Sequence, residues 1–446
     1  MKNAISFGTD GVRGRVGIHP FNPDGLRVFG AAIAEWALEK YQKISPRVLI
    51  GYDSRISGTE IKQDLIDVLT HFEIEVVDAR VLTTPAIYRL ISIDTSFDFG
   101  IAISASHNPF QDNGIKLFDA KKCKLERDDE VKIETLFDYY FKKQSLLNFV
   151  IVGQAVIWEN AKQRYTASLI QYFKPNFLSG LTIVLDCANG AASDIAPHIF
   201  EKLGANVIKI GALPDGKNIN RDCGSLHPKL LQKSVLYAKA DIGFAFDGDA
   251  DRLLVVSKIG QIKDGDDVLM LLLGNPNYSS TKTLVSTITA NQGLESELKK
   301  LGKNLIRTQV GDKFVAAALD ENNLLLGGET SGHVIMKDYM PTGDGIFVAL
   351  KLLEAVILNK NWDLKTFEKY PQVSINIPVK NKRDLTQKPY SEIIQKCRES
   401  IQDGRIVVRY SGTENLLRIL TEASTDAMAN SVAKNLANFL QEALSN

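Results

Sequence analysis

Two short segments hold the side chains best suited to chemistry: Ser104-Ala105-Ser106-His107-Asn108-Pro109 and Asp247-Gly248-Asp249-Ala250-Asp251-Arg252. On an extended loop the carboxylates of Asp247, Asp249 and Asp251 can share one side. A cation is what would neutralise them there, and hard oxygen ligands suit Mg²⁺. The spacing is similar to the first half of an EF-hand loop. That loop's glycine would fall on Arg252 and its bidentate glutamate on Lys258, with strand-like flanks, so an EF-hand is excluded. An acidic surface turn is the plain alternative.

Ser106 admits three readings. As a triad nucleophile it fails, because no serine of the chain lies in G-x-S-x-G and an adjacent histidine is poorly placed as its base. As part of a Ser/Asn/Pro turn it is ordinary. As a phosphoryl carrier it would need a metal and cations around it. Asp247, Asp249 and Asp251 could supply the metal, and Lys116 and Arg13 the cations.

Gly327 to His333 (GGETSGH) sets a carboxylate, two hydroxyls and an imidazole on a glycine-rich turn, a donor and acceptor set suited to a sugar. A polar loop with a satisfied histidine is the bland reading of the same residues. Arg409-Tyr410-Ser411-Gly412-Thr413-Glu414-Asn415 lies between strand-like runs, and its amides, hydroxyls and Arg409 suit a phosphate nest. Neither a Walker A loop nor a G-x-G-x-x-G fingerprint is present.

These segments must be positioned by the elements around them. Short apolar runs end in the polar clusters: Val48–Ile50, Ile101–Ile103, Ile183–Leu185, Ile242–Phe246, Thr283–Val285 and Leu324–Leu326. Buried strands alternating with helices predict α/β layers with mainly parallel sheets, and ligands gather at the carboxyl ends of such strands. After about residue 370 the pattern changes to alternating strands and a closing helix. That helix has a cap cluster at Ser424, Thr425 and Asp426 and apolar positions at Val432, Leu436, Phe439, Leu440 and Leu444. The domains expected are 1–153, 154–256, 257–369 and 370–446, three similar α/β units of mixed or parallel sheet and an α+β unit.

At 446 residues the chain is too long for one core. Lys plus Arg and Asp plus Glu both total 53, so no global field points to nucleic acid or an anionic membrane. The N-terminus lacks a secretory h-region, and no apolar run approaches the roughly 20 residues of a membrane span. Cys123, Cys187, Cys223 and Cys397 lack metal or disulfide spacing, which fits a reducing cytoplasm.

In their order along the chain, FGTDGVRG (7–14), GYDSRISG (51–58), Thr84-Pro85-Ala86, SASHNP, DNGIK, DCANGA (186–191), NRDCGS (220–225), DGDADR, VGDK (310–313), GGETSGH, TGDG (342–345) and RYSGTEN resemble the α-D-phosphohexomutase family. The resemblance implies four domains around a central cleft and a phosphoserine at Ser106, with Mg²⁺ held by Ser106, Asp247, Asp249 and Asp251. It further implies Arg13, Lys116 and Arg252 at the transfer site, with His333 and Lys116 near the proton transfers. Glu329 and Ser331 would bind sugar hydroxyls. Arg409, Ser411, Gly412, Thr413 and Arg418 would hold the phosphate not being transferred. A hexose or hexosamine 1,6-bisphosphate would prime the enzyme, a sugar phosphate would be its small-molecule partner, and a homodimer is the family's expectation. The 329–333 and 342–345 segments are more similar to members acting on glucosamine 6-phosphate and glucosamine 1-phosphate, for UDP-N-acetylglucosamine and cell-wall synthesis. Action on mannose or glucose phosphates is the alternative.

Overall fold

The computed structural model describes residues 5–143, 153–401, 404–411 and 415–445. Its first three sheets share one plan. In the second, Asn206–Ile210, Thr182–Asp186 and Ile242–Phe246 run parallel, and Leu253–Ser257 and Ile262–Lys263 follow antiparallel. The third repeats this order with Asn304–Thr308, Thr283–Thr287 and Leu326–Gly328, then Val334–Met336 and Met340–Gly343. In the first, Glu75–Val81, Arg47–Tyr52 and Phe99–Ile103 are parallel and Asp112–Asp119 antiparallel. The fifth place is taken there by Val12–Arg15 from the start of the chain.

The sequence predicts mainly parallel sheets, with helices usually following the polar clusters. The first three sheets are mixed, within the mixed-or-parallel expectation, each turning antiparallel after its third parallel strand. A short loop cannot make the crossover that a parallel neighbour needs, so the chain returns as a hairpin. The three hairpin loops are the serine loop (104–111), the aspartate loop (247–252) and the glutamate loop (329–333). SASHNP, DGDADR and ETSGH therefore occupy the same topological position. Each loop contains a left-handed residue, Ser106 (φ 53), Ala250 (φ 61) and Gly332 (φ 94).

The strands leading into the first two loops, Phe99–Ile103 and Ile242–Phe246, are buried throughout. Burying such a side chain contributes about 1.5–3 kcal/mol, which anchors the loops to rigid cores. Two boundaries differ from the sequence reading. Val156–Ile157 extends the first sheet by pairing with Glu75–Val81, beyond residue 153. Ile262–Lys263 closes the second sheet, beyond residue 256, because the turn at Gly260 (φ 79) folds it back on Leu253–Ser257.

The fourth sheet is antiparallel, Gln372–Pro378, Leu416–Ala423 and Gly404–Tyr410, and is covered by helices Tyr390–Glu399 and Asp426–Ser445. Thr425 Oγ1 caps the last helix by accepting from Met428 N at 3.2 Å. Val432, Leu436 and Leu440 are buried as expected, whereas Phe439 is exposed, one position off the apolar stripe. Arg405 ties this unit to the third. It pairs with buried Glu422 and donates to the carbonyls of Ile288 and Ala290.

Candidate active site

Ser106 stands at the carboxyl end of its strand, with its backbone held from beneath by an arginine. Arg55 has a fully buried side chain. Its guanidinium donates to Asp53 Oδ2 (2.9 Å), to the carbonyls of Pro109 (2.5 Å) and Asp112 (3.1 Å), and to those of Ser106 and Asn108 (2.9 Å each). Asn220, from the second unit, donates to the same Ser106 and Asn108 carbonyls at 2.9 and 3.1 Å. Ser104 Oγ donates to Asp53 Oδ2 at 2.6 Å and accepts from Ser106 N at 2.9 Å. These bonds fix a left-handed serine that would otherwise be strained.

The aspartate loop presses against the serine. Ser106 Oγ donates to Asp247 Oδ2 at 2.6 Å. A Cβ on Gly248 would lie 2.6 Å from the Ser106 carbonyl, so only glycine allows this approach. Ligand oxygens of Asp247, Asp249 and Asp251 lie within 4.8 Å of one another, and all three residues are buried. Burial, then Asp251 and Asp249, push Asp247 well above the carboxylate range. Asp249 Oδ1 and Asp251 Oδ1 are buried without a hydrogen-bond partner. Orphaned carboxylate oxygens in this arrangement fit a hard divalent cation, which would supply positive charge to phosphoryl oxygens when bound.

Lys116 comes back along the antiparallel strand, with Ala102 as its cross-strand partner. Its ammonium lies 2.5 Å from Asp10 Oδ2, 2.8 Å from Asp249 Oδ2 and 3.3 Å from Asp251 Oδ2. Burial opposes its charge, but Asp10, Asp249 and Asp251 outweigh burial and hold its pKa well above normal. The same lysine, followed by His333 and Arg252, holds Asp251 well below the carboxylate range against burial.

A closed circuit of charged and polar groups links the three units: Asp10, Lys116, Asp251, His333, Asp312, Lys124 and back to Asp10. His333 Nδ1 is 3.7 Å from Asp251 and Nε2 is 3.6 Å from Asp312. Burial works against its proton, but Asp251 and Asp312 raise its pKa to about 8. Gly343 N donates to Nε2 at 3.0 Å, however, and an imidazolium has no lone pair to accept that bond. In this geometry His333 is neutral with its proton on Nδ1, and charging it means breaking the Gly343 bond.

His107 Nδ1 is 3.3 Å from Ser106 Oγ, a contact closer than its sequence position suggested. Burial first, then Arg252 and Arg13, lower its pKa to about 3, so it stays neutral.

A cavity of about 410 Å³ opens beside these groups, within the range of small-ligand pockets. Arg13, Arg252, Glu329, Ser331 and His333 line it, as do Asp10, His107 and Asp312. Arg13 pairs with Asp10 at 3.2 Å, and Glu329 Oε1 accepts from Gly311 N at 3.0 Å.

Arg409 and Arg418 face each other in register across two strands of the fourth unit. Burial, then Arg418, lower Arg409's pKa, while Glu329 acts in the opposite sense, so Arg409 feels the glutamate loop. Ser411 is buried at the end of the same strand, and its carbonyl accepts from Lys382 Nζ at 2.8 Å. Gly412 and Thr413 lie outside the described residues.

The sequence reading gave no role to Asp10, Asp53, Arg55, Thr84, Ser104, Lys124, Asn220 or Asp312. All but Lys124 sit in segments it had singled out, and Lys124 carried no signal.

Comparison with known proteins places the chain in a class. Phosphoglucomutase/phosphomannomutase domains match throughout: α/β/α domain I at 4–144, domain II at 163–260, domain III at 264–370 and the C-terminal domain at 375–439. The chain belongs to the phosphoglucomutase/phosphomannomutase family, the α-D-phosphohexomutases, and is an isomerase of the intramolecular phosphotransferase kind. A phosphoglucosamine mutase of Myxococcus xanthus is 40% identical over 449 residues, covering 98% of this chain and 97% of its own. A phosphoglucosamine mutase of Desulfotalea psychrophila is 39% identical, covering 98% of both chains. Among solved structures, the Aspergillus fumigatus N-acetylphosphoglucosamine mutase in complex with GlcNAc-6P and magnesium superposes with a TM-score of 0.70. At 17% identity, covering 99% of this chain and 96% of that one, it speaks for the fold. No helix among the described residues is long and apolar enough to cross a membrane.

Proposed function

We propose that the chain interconverts glucosamine 6-phosphate and glucosamine 1-phosphate as a phosphoglucosamine mutase, with Ser106 as the phosphoryl carrier. The observation that carries the chemistry is Ser106 Oγ, 2.6 Å from Asp247 at the edge of three converging carboxylates. The two curated relatives named for this activity support the substrate.

Phospho-Ser106 gives its phosphoryl group to a free hydroxyl of the sugar monophosphate. The bond from phosphorus to Ser106 Oγ breaks, and the bond to the sugar oxygen forms. The hydroxyl proton leaves the sugar and one proton returns to Ser106 Oγ, where it now lies toward Asp247. The 1,6-bisphosphate then turns over, and Ser106 takes the other phosphoryl group. Lys116, Arg13 and Arg252 offset the charge on the transferring group. Glu329 and Ser331 orient the sugar, His333 and Lys116 stand near the proton transfers, and Arg409, Ser411, Gly412, Thr413 and Arg418 hold the resting phosphate. Asp247, Asp249, Asp251 and phospho-Ser106 would hold Mg²⁺, which supplies charge neutralisation when bound. A hexosamine or hexose 1,6-bisphosphate primes the serine. The product feeds UDP-N-acetylglucosamine and cell-wall synthesis in the cytoplasm, where the four buried free cysteines would stay reduced.

The test is turnover of glucosamine, glucose and mannose phosphates with a bisphosphate primer and Mg²⁺. Glucosamine 6-phosphate is expected to be the best substrate, and ranking last would overturn the reading. Ser106→Ala should lower turnover by at least about 1000-fold and remove the phosphate from the intact mass. An active Ser106→Ala enzyme would end the phosphoserine mechanism. The homodimer expected from the family is read by light scattering.

A further inference from the structure

A ligand with a phosphate and an ammonium group needs anchors of both signs, and the cavity has both. Arg13 and Arg252 line it together with four carboxylates, Asp10, Asp251, Asp312 and Glu329. Two of the four have other duties. Asp251 belongs to the three aspartates of the metal group, and Asp10 is paired with Arg13, Lys116 and Lys124. Asp312, which shares Lys124 with Asp10 and lies 3.6 Å from His333, and Glu329 remain.

These two residues are locally coupled. Gly311, which immediately precedes Asp312, donates its N–H to Glu329 Oε1 at 3.0 Å. Burial raises the pKa of Glu329 and Asp312 adds to the rise, against His333, Arg252 and the Gly311 amide. Lys124 forms a short ion pair with Asp312 and is not part of the cavity lining. Lys124 and, at 3.6 Å, His333 approach Asp312 Oδ2, Oδ1 accepts from Lys313 N at 2.8 Å, and the residue still lines the cavity. Lys124 is thus shared between Asp312 and Asp10, and the neutral His333 adds no charge, which favours an additional positive charge in the ligand.

We propose that Asp312 recognises the 2-ammonium group of the glucosamine phosphate. This rests on the function proposed above, in which Glu329 and Ser331 take sugar hydroxyls. The C2 substituent is the immediate neighbour of the C3 hydroxyl on the ring. With Glu329 on that hydroxyl, a group beside Glu329 reaches C2, and Asp312, next to the Gly311 whose amide Glu329 accepts, is so placed. A carboxylate gains a charge-assisted bond from an ammonium and only an ordinary one from the 2-hydroxyl of glucose. Asp312 therefore sets preference between substrates, while the phosphoryl chemistry stays with Ser106.

The experiment measures kcat/KM for glucosamine 6-phosphate and glucose 6-phosphate in the wild type and in Asp312→Asn. The ratio is expected to fall by about tenfold or more in the variant. An unchanged ratio, whether both values fall together or neither does, overturns the proposal. If Asp312→Asn turns over neither sugar, calorimetry on Ser106→Ala and on Ser106→Ala with Asp312→Asn reads the same ratio as affinities, and equal ratios overturn it. If the asparagine variant does not fold, Asp312→Ser, which keeps an acceptor in the first turn of its helix, is read by the same criterion. A wild type without preference for glucosamine 6-phosphate breaks the proposed function itself. A wild type with that preference, matched by an equally selective variant, breaks only the role of Asp312.

Discussion

The first and second units place an aspartate at matching points, Asp53 just past the strand Arg47–Tyr52 and Asp186 at the end of Thr182–Asp186. Each carboxylate accepts the backbone amide two residues on, from Arg55 and from Ala188, both at 3.0 Å. Beyond that they part. The Arg55 side chain turns back on Asp53 and gathers three carbonyls of the serine loop and that of Asp112 at the start of the next strand. Ala188, in left-handed backbone (φ 55), offers only a methyl group, and the second oxygen of Asp186 takes Gly224 N at 2.8 Å. Burial raises the pKa of both aspartates, but for Asp53 the Arg55 charge and the Ser104 bond pull the other way. One plan thus carries two solutions. A buried cation appears where a reactive loop must be held by its own backbone, and backbone amides suffice where the loop is secured by its neighbours.

The strongest way to break this comparison is Arg55→Met. It leaves Asp53 buried without its cation and removes a donor from four carbonyls, although Asn220 still serves two of them. A stability loss of about 3–5 kcal/mol is expected in urea denaturation. Turnover should drop by about 100-fold even where the variant is folded, because Ser106 is no longer fixed. A variant as stable and active as the wild type would show that the arginine is incidental.

Asp186→Asn sharpens the other half. The folded-state pKa of Asp186 is raised from 3.8 to about 6, with burial as the main cause and the Gly224 and Ala188 amides opposing it. A raised acid binds its proton more tightly in the folded chain. Stability is therefore full below the unfolded pKa, falls as pH rises from about 4 to 6, and is flat above that. The asparagine lacks this loss. Its stability relative to the wild type should improve across that window by on the order of 2 kcal/mol, whatever the constant offset from the altered amide bonds. Denaturation midpoints at pH 4 and pH 7 measure it. A pH-independent difference would mean that Asp186 does not titrate in this way.

The local parts of the site were legible from sequence, and the connections between them were not. Ser106 and the Asp247, Asp249 and Asp251 set are each contiguous on one loop, so residue type and spacing reveal them. Arg55, Asp10 and Asp312 lay in segments already marked as unusual. Their roles depend on partners far away in the chain, such as Lys124 with Asp312 and Lys116 with Asp249. Lys124 reads as one more lysine in Lys121-Lys122-Cys123-Lys124 until the sheet folds it toward two aspartates. The strand and helix alternation predicted α/β units. The antiparallel return after each third strand was hidden, because apolar content marks a strand as buried without giving its direction. That return makes three dissimilar motifs equivalent loops.

Thr84 offers the mildest test, at the contact between the first two units. Its hydroxyl donates to Asp249 Oδ2 at 2.5 Å and its amide to the Asp249 carbonyl at 3.2 Å. The serine loop is held mainly from within its own unit by Arg55, with Asn220 of the second unit reaching two of its carbonyls, whereas the aspartate loop borrows this hydroxyl from its neighbour. Thr84→Val keeps the side-chain shape and the backbone bond and deletes one hydrogen bond to a carboxylate. A stability cost of about 1–2 kcal/mol is expected in metal-free protein. The larger consequence should be for the cation. Asp249 would be less firmly oriented, and the Mg²⁺ concentration giving half-maximal thermal stabilisation should rise by about tenfold. A variant with wild-type Mg²⁺ dependence would place the control of Asp249 with Lys116 alone. The aspartate loop would then resemble the serine loop more closely, each with a buried cation as its main tie.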